Sequence, residues 1–405
     1  MNLSDRCEAE LGPTWTLLIR LGQLAAERGE RAVLVGGVPR DLILGVSISG
    51  DMDLLVEGDA IALAEAWTDT EGGSLVRHRP FNNAIWKSEQ NHFDFVRART
   101  EHYPAVAALP EVSASTIEDD LQRRDFRINA MAIDLHPDRL GHLIDPHLGQ
   151  KDLQERRLEV FHEASFTDDP TRAIRAVRYV TRLDLEIGES CLMAIDHAQI
   201  NQAFEALSLE RFGAEIHRML QERDAGRCLE CATGLGVLDR LPIESFSLYT
   251  SAEDCLHVHQ TWTSEAIDQA ELLWMLFSDQ FEEPEQWVRL VPGGGIPAKR
   301  FARGTGPIRE ALFACEKSED PADHGQALQP LDAIQRAFAH FLAPGHPALH
   351  WWEQTGRTIG STVTSEHLKA RGLLPGPQMG TALALAQRAA WRGAPHHEQL
   401  SAALP

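Results

Sequence analysis

A short apolar, β-branched run, RAVLV (31–35), ends at Gly36-Gly37, and helical spacing of apolar residues begins at once over 38–44, closing at Gly45. Few arrangements produce that order. A strand that turns into a helix through two glycines lets the backbone approach an anion closely, with the helix's free N-terminal amides facing it. Arg40 falls one turn into the helix, where its guanidinium could clamp a triphosphate through two parallel bonds. Residues 51–56 then alternate as a second strand, which places Asp51 and Asp53 side by side on one face. Two like charges there repel unless a cation lies between them, and hard carboxylate oxygens suit Mg²⁺. A third run, HFDFVRA (92–98), sets Phe93, Phe95 and Arg97 on one face and His92, Asp94 and Val96 on the other. Asp94 completes a carboxylate triad able to take the proton from an attacking hydroxyl. A glycine pair alone is an ordinary tight turn, and a lone DxD an ordinary solvated strand edge. In this order and at this spacing they are far more specific.

Two further elements follow. RRDFRINAMAIDL (123–135) sets Arg123, Arg124, Asp125 and Asn129 between a helix read over 115–122 and a short strand read over 129–135. Paired arginines neutralise phosphate, and an acidic side chain accepts a ribose hydroxyl proton; by itself RRD would be a solvated charged turn. DDPTRAIRAVRYVTRL (168–183) starts with Asp168-Asp169 and Pro170, which suit a helix N-terminus. At 100° per residue, Asp169, Arg172 and Arg175 stay within about 120° of one another, with Arg178 one step further on. Acceptor and donor groups together can read base edges as a pairing partner does. The plainer reading is a salt-bridged surface helix.

Beyond residue 153 only helical periods remain, over 168–183, 189–206, 208–222, 227–238, 263–280, 308–316, 329–342 and 378–392. The fold class is therefore α+β, a mixed sheet with flanking helices followed by an all-α remainder. The Gly- and Pro-dense segment 292–306 is the best candidate hinge, and 319–325 a second break. With 38 Lys+Arg against 60 Asp+Glu among 405 residues, the net charge is −22, so no overall field holds the chain to nucleic acid or an anionic membrane. Residues 121–183, with 11 Lys/Arg and 10 Asp/Glu, carry +1, the least repulsive place for a polyanion. No apolar run approaches the ~18 residues a membrane span needs, and the N-terminus lacks a signal segment. Six scattered cysteines are not a disulfide framework, which points to a reducing, cytoplasmic compartment. Cys228 and Cys231 read as packed thiols, Trp351-Trp352 as core, and His396-His397 as a solvated tail. No His-Asp dipeptide occurs, so a metal-phosphohydrolase domain is not indicated.

The order LVGGVPRDLILG…DMD…RRDFRINAMA…DDPTRAIRAVRY strongly resembles class II CCA-adding tRNA nucleotidyltransferases and the related bacterial poly(A) polymerases, within the polymerase-β-like nucleotidyltransferase superfamily. The motif-bearing match covers 30–185, and HLKARGLLPGPQMGTAL (367–383) is similar to a C-terminal PGPxxG segment of some relatives. The resemblance implies a catalytic head (1–140), a neck that recognises the base (141–205), a helical body (206–300) and a helical tail that grips tRNA (301–405). It implies that Gly36, Gly37 and Arg40 hold nucleotide phosphates, that Asp51 and Asp53 bind Mg²⁺, and that Arg124, Asp125 and Asn129 contact triphosphate and ribose. Asp169 and Arg172 would template ATP or CTP, with Arg175 and Arg178 in support. Pro39, Arg127 and Asp168 depart from the usual pattern, and none removes a ligand.

The implied activity is untemplated addition of CCA, or part of it, to tRNA 3′ ends from CTP and ATP, releasing pyrophosphate, with no obligate protein partner. A-only and CC-only addition, poly(A) synthesis and a catalytically silent tRNA-binding protein are the alternatives. The segment 101–113 (EHYPAVAALPEVS) reads as irregular and as the lever that switches the site from C to A, which favours full CCA addition.

Overall fold

The computed structural model describes all residues except 49–50, 109, 240–244, 263–264, 294 and 405, and the side chains of 81 and 245–247. It divides into two compact units, Met1–Ser208 and Leu209–Pro405.

The first unit opens with helices α1 (Ser4–Leu11) and α2 (Pro13–Glu27) and strand β1 (Arg31–Val35), followed by α3 (Gly37–Leu44), β2 (Met52–Glu57) and α4 (Ala60–Glu71). Then come β3 (Ser74–His78), β4 (Asn83–Lys87), β5 (His92–Arg97), β6 (Arg99–His102), β7 (Glu111–Ala114), α5 (Ile117–Gln122), β8 (Ala132–Asp134) and β9 (Leu143–Ile144). Short helices α6 (Gly149–Gln154) and α7 (Ser165–Asp168) precede the longer α8 (Thr171–Leu183). Seven strands form one sheet in the order β3-β4-β5-β2-β1-β8-β9. Only β2 and β5 are parallel, with Asp53 opposite Asp94 and Leu55 opposite Val96.

Strand alternation decides the two faces. Leu34, Leu54, Val56, Phe93 and Phe95 pack with Leu18, Leu21, Trp67 and Trp86 into the larger core, under α2 and α4. Val33, Val35 and Leu55 turn the other way, onto Ile117, Leu121, Ala130 and Ala132. Asp53 shares the parity of Leu55, and Asp94 that of Val96. The carboxylates therefore lie on the face away from the larger core.

Several expectations need correction. Asp51 precedes β2, which begins at Met52. The strand read over 129–135 shortens to Ala132–Asp134, because Arg127–Asn129 forms a 3₁₀ turn in which Asn129 is drawn to Asp125 and Arg40. The segment 101–113 is not irregular throughout. Its ends pair as the β6–β7 hairpin, with Glu101 opposite Val112 and His102 opposite Glu111. The cross-strand ladder recruits residues whose own composition gives no strand signal. Leu109 lies outside the described residues.

Among the described residues, the second unit contains helices and no strands. A helix spans Ser245–Thr261, between the helical periods read over 227–238 and 263–280. The helix read from 263 begins at Gln269, where the Asp268 carboxylate accepts from the amides of Ala270 and Glu271. The expected hinge is largely helical too. Gly295–Arg303 forms a helix that buries Phe301, with Arg300 paired to Glu271 and, at 2.8 Å, to Asp332. A domain boundary at 300/301 would cut through it; Gly294 lies outside the described residues. Cys228 is buried and Cys231 half-buried on Ala225–Gly234, and neither is in a disulfide. No helix of the described residues is long and apolar enough to cross a membrane.

Candidate active site

The strand–Gly–Gly–helix turn is built around a carboxylate. Gly36 has φ +77°, and a Cβ there would lie 2.8 Å from Asp53 Oδ2. Both facts require glycine, the first through backbone conformation and the second through space. Asp53 can come this close to the start of α3 only because that side chain is missing. Gly37 follows as the first residue of α3, with the Arg40 guanidinium folded back towards it.

Three donor groups converge at the N-terminal ends of β2 and β5. His92 Nδ1 lies 2.5 Å from Asp51 Oδ1, and His92 Nε2 lies 2.9 Å from Asp94 Oδ1. Asp51, His92 and Asp94 form the one group among the described residues whose ligand atoms could hold a metal ion. Asp53 stands beside this group rather than in it. Burial pushes its carboxyl above the usual range, Arg124 pulls it down, and Asp94 and Asp51 push it up again. Asp94 Oδ1 and His92 Nε2 are both buried without a properly aligned hydrogen bond. Acidic oxygens crowded together with an unsatisfied one among them fit a cation.

Alongside is a cavity of about 590 Å³, lined by Gly37, Arg40, Asp51 and Asp53 on one side and by Arg156, Arg182 and Asp184 on another. Arg156 is held at its rim by Asp184, 2.7 Å from the carboxylate.

Arg40 is buried at 6% exposure, donating to Asp41 and, through Nη1, to Asn129 Oδ1 at 2.8 Å. Asn129 in turn donates to Asp125 Oδ1 at 3.0 Å, and Arg175 reaches Asp125 Oδ2 from Nε at 2.9 Å and Nη2 at 2.6 Å. The ring of Tyr179 lies between the two guanidinium groups, at 5.5 Å from Arg40 and 5.8 Å from Arg175. This chain of contacts ties α3, the RRD turn and α8 together. Burial alone would raise the Asp125 carboxyl, but the Arg175 guanidinium beside it, with Asn129, holds it below its usual range.

The RRD pair divides its work. Arg123 forks onto the fully buried Asp120 carboxylate and also holds Glu101. Arg124 makes a longer contact to Asp120 at 3.3 Å and acts electrostatically on Asp53. Just before α8, Asp169 accepts from the Thr171 amide and hydroxyl. Arg172 is turned inward at 7% exposure, bonded to Ser165 Oγ, the Arg123 carbonyl and, at 3.4 Å, the Tyr103 hydroxyl. Arg178 is half-buried on the same helix. The structure thus brings Gly37, Arg40, Asp51 and Asp53 to one cavity, with Gly36, Asp94 and Arg124 close to the Asp53 carboxylate. Asp125, Asn129, Arg172 and Arg175 form the adjoining wall.

His92, Tyr103 and Tyr179 were not anticipated as site residues. His92 carried a readable signal, since alternation already placed it on the face of Asp94.

Residues 32–159 match the poly A polymerase head domain. The chain is 37% identical over 342 residues to an A-adding tRNA nucleotidyltransferase of Halalkalibacterium halodurans, covering 82% of this chain and 72% of that protein. It belongs to the tRNA nucleotidyltransferase family. A CC-adding tRNA nucleotidyltransferase of Deinococcus radiodurans is 30% identical over 357 residues, covering 87% of this chain and 82% of the relative. This tRNA nucleotidyltransferase family member also shares its fold with the Thermotoga maritima CCA-adding enzyme solved with tRNA. The TM-score is 0.77, at 24% identity, over 100% of this chain and 98% of that one.

Proposed function

We propose that the chain adds nucleotides to the 3′ end of tRNA from ATP, CTP or both, with release of pyrophosphate. The observation that carries this is the convergence of Asp51 and Asp94, with Asp53 alongside, next to a cavity that Asp51 and Asp53 line together with Arg40, Arg156 and Arg182. Mg²⁺ is the cation these oxygens suit best among common ones, and Asp51, Asp53 and Asp94 are the residues that would hold it. Bound there, it would draw charge from the α-phosphate and the departing pyrophosphate. The amides at the start of α3, with Arg40 and Arg124, bind the triphosphate, and Asp94 takes the proton of the attacking hydroxyl. Asp125 and Asn129 face the ribose. Asp169 and Arg172 read the base, supported by Arg175 and Arg178. In the first unit, 1–140 serves as head and 141–205 as neck; residues 206–405 supply body and tail surfaces for tRNA.

The A-adding relative is the more similar of the two, at 37% against 30% identity. That favours competence for the terminal A, as full CCA or as A alone. Purified protein incubated with Mg²⁺, labelled CTP or ATP, and tRNAs ending before C, after C and after CC decides the matter. Extension of all three gives CCA addition, and extension of the CC-ended tRNA alone gives A addition. Incorporation into none refutes the reading, as does full activity of Asp51→Ala or Asp53→Ala. A long A ladder on unstructured RNA would show a poly(A) polymerase instead. Binding of tRNA without incorporation would show a silent binder.

A further inference from the structure

We infer that the open face of β3 and β4 seats the 3′-terminal nucleotide of the tRNA, its ribose and base on Ile85 and Val76 and its phosphate on Lys87. This rests on the reading above, in which Asp94 takes the proton of the attacking hydroxyl. The order of the sheet gives the two substrates opposite sides. β1 and its Gly-Gly turn lie on one flank of β2, and β5, β4 and β3 lie on the other. The cavity beside the start of α3 is on the first flank. Gly37, Arg40, Asp51 and Asp53 line it, and Asp94 is not among its described lining residues. Phosphoryl transfer keeps the attacking and leaving oxygens roughly in line across the phosphorus. Pyrophosphate departing towards α3 therefore requires a hydroxyl arriving from the side of β5, where Asp94 stands.

Strand register shows what that side offers. Val76 is opposite Ile85, Ile85 opposite Asp94, and Asp94 opposite Asp53, so one row of side chains crosses four strands on the face away from the larger core. The next row on that face runs Ser74, Lys87 and His92. Leu75, Ala84 and Trp86 have the other parity and pack into the larger core. With strands about 4.8 Å apart, Ile85 lies one step and Val76 two steps from Asp94, a span that one nucleotide covers. Val76 is 52% exposed and Ile85 half-buried. Lys87 is exposed, and its ammonium has no ion pair among the described residues. Apolar side chains beside an unpaired ammonium give contact to a base face and to phosphate without reading base edges. That tolerance suits an acceptor whose last base changes as nucleotides are added. The plainer role is an ordinary solvated sheet edge, on which a single exposed valine is common.

Photo-crosslinking of the wild-type protein to tRNA carrying an azido group on its 3′-terminal base, with no nucleoside triphosphate present, separates the two. We expect the crosslinked peptide to fall within residues 74–87. Lys87→Ala, checked for a native melt, should lower kcat/KM for tRNA about ten-fold and leave the KM of the nucleoside triphosphate within about two-fold. The log–log salt dependence of that kcat/KM should become shallower by about 0.7, the share of one phosphate, and Lys87→Arg should restore most of the loss. Crosslinks to other segments alone, or none, overturn the assignment. So does an unchanged kcat/KM in Lys87→Ala, or an equal rise in the KM of the nucleoside triphosphate. Nucleotide addition by the same wild-type preparation keeps the two conclusions apart. Addition without a crosslink in 74–87 removes only the proposed seat, whereas no addition to any tRNA end removes the functional reading itself.

Discussion

Gly36 is the residue on which the site turns. Placing a side chain there adds a left-handed backbone penalty of about 1–2 kcal/mol and pushes on Asp53 Oδ2, 2.8 Å from the new Cβ. Gly36→Ala should lower the melting temperature by several degrees and reduce nucleotide incorporation by at least about ten-fold. An unaffected rate would show that the Asp53 position is not critical. A second residue-scale effect belongs to Asp152, whose carboxyl is raised to about 6. Burial raises it first; Arg127, 3.2 Å away, lowers it, and Glu159, Asp145 and Glu155 raise it further. The fold thus favours the protonated form. That contribution is fully present below the ordinary value of 3.8 and is lost as pH rises through about 6. Asp152→Asn, neutral at every pH, should leave the melting temperature unchanged at acid pH and raise it at pH 8. A lower melt at pH 8 would mean that the Arg127 pair outweighs the burial cost. Arg127, a departure from the family pattern, thus has a structural place between Asp152 and Glu159.

At the scale of elements, α8 is fastened to the RRD turn by the Arg175–Asp125 ion pair and by Arg172 on the Arg123 carbonyl. Arg175→Ala would leave the Asp125 carboxylate without its guanidinium and should cost about 3 kcal/mol, read by urea unfolding. A loss under 1 kcal/mol would show that Asn129 suffices. The β6–β7 hairpin is fastened to the same region. Its tip donates from the Ala107 amide to the Thr167 carbonyl at 3.2 Å, and Tyr103 reaches Arg172. The hairpin thereby touches Arg172, which we propose reads the base. Shortening 104–110 should slow addition of A to a CC-ended tRNA selectively, measured against addition of C. Equal losses would leave the hairpin with no switching role.

Across the whole molecule the net charge of −22 governs the encounter with tRNA. Each neutralised phosphate steepens the salt dependence of binding by about 0.7–0.9 in log–log slope. A chain this acidic should rely on a few local contacts, so filter binding should give a slope shallower than about −4. A slope near −10 would reveal a basic surface that the composition hides. Much of the molecule was legible before its structure. Strand alternation is a property of the chain itself, so the shared face of His92 and Asp94 could be read from spacing alone, whereas the β2–β5 pairing that sets Asp53 opposite Asp94 could not. The Gly-Gly turn and the all-helical second half were legible for the same local reason. The spacing of residues could not say which partner each charged group would choose. Arg172 has a helix face suited to reading a base, yet it spends its bonds on Ser165 and the Arg123 carbonyl. Arg175 finds Asp125 fifty residues away, and 101–113 becomes part of a hairpin. A guanidinium has five donors and many equivalent acceptors, and an exposed-looking segment can be drawn into a ladder. Local periodicity determined the elements and the face of the site, and only chain collapse, by deciding which distant groups are desolvated together, determined its pairings.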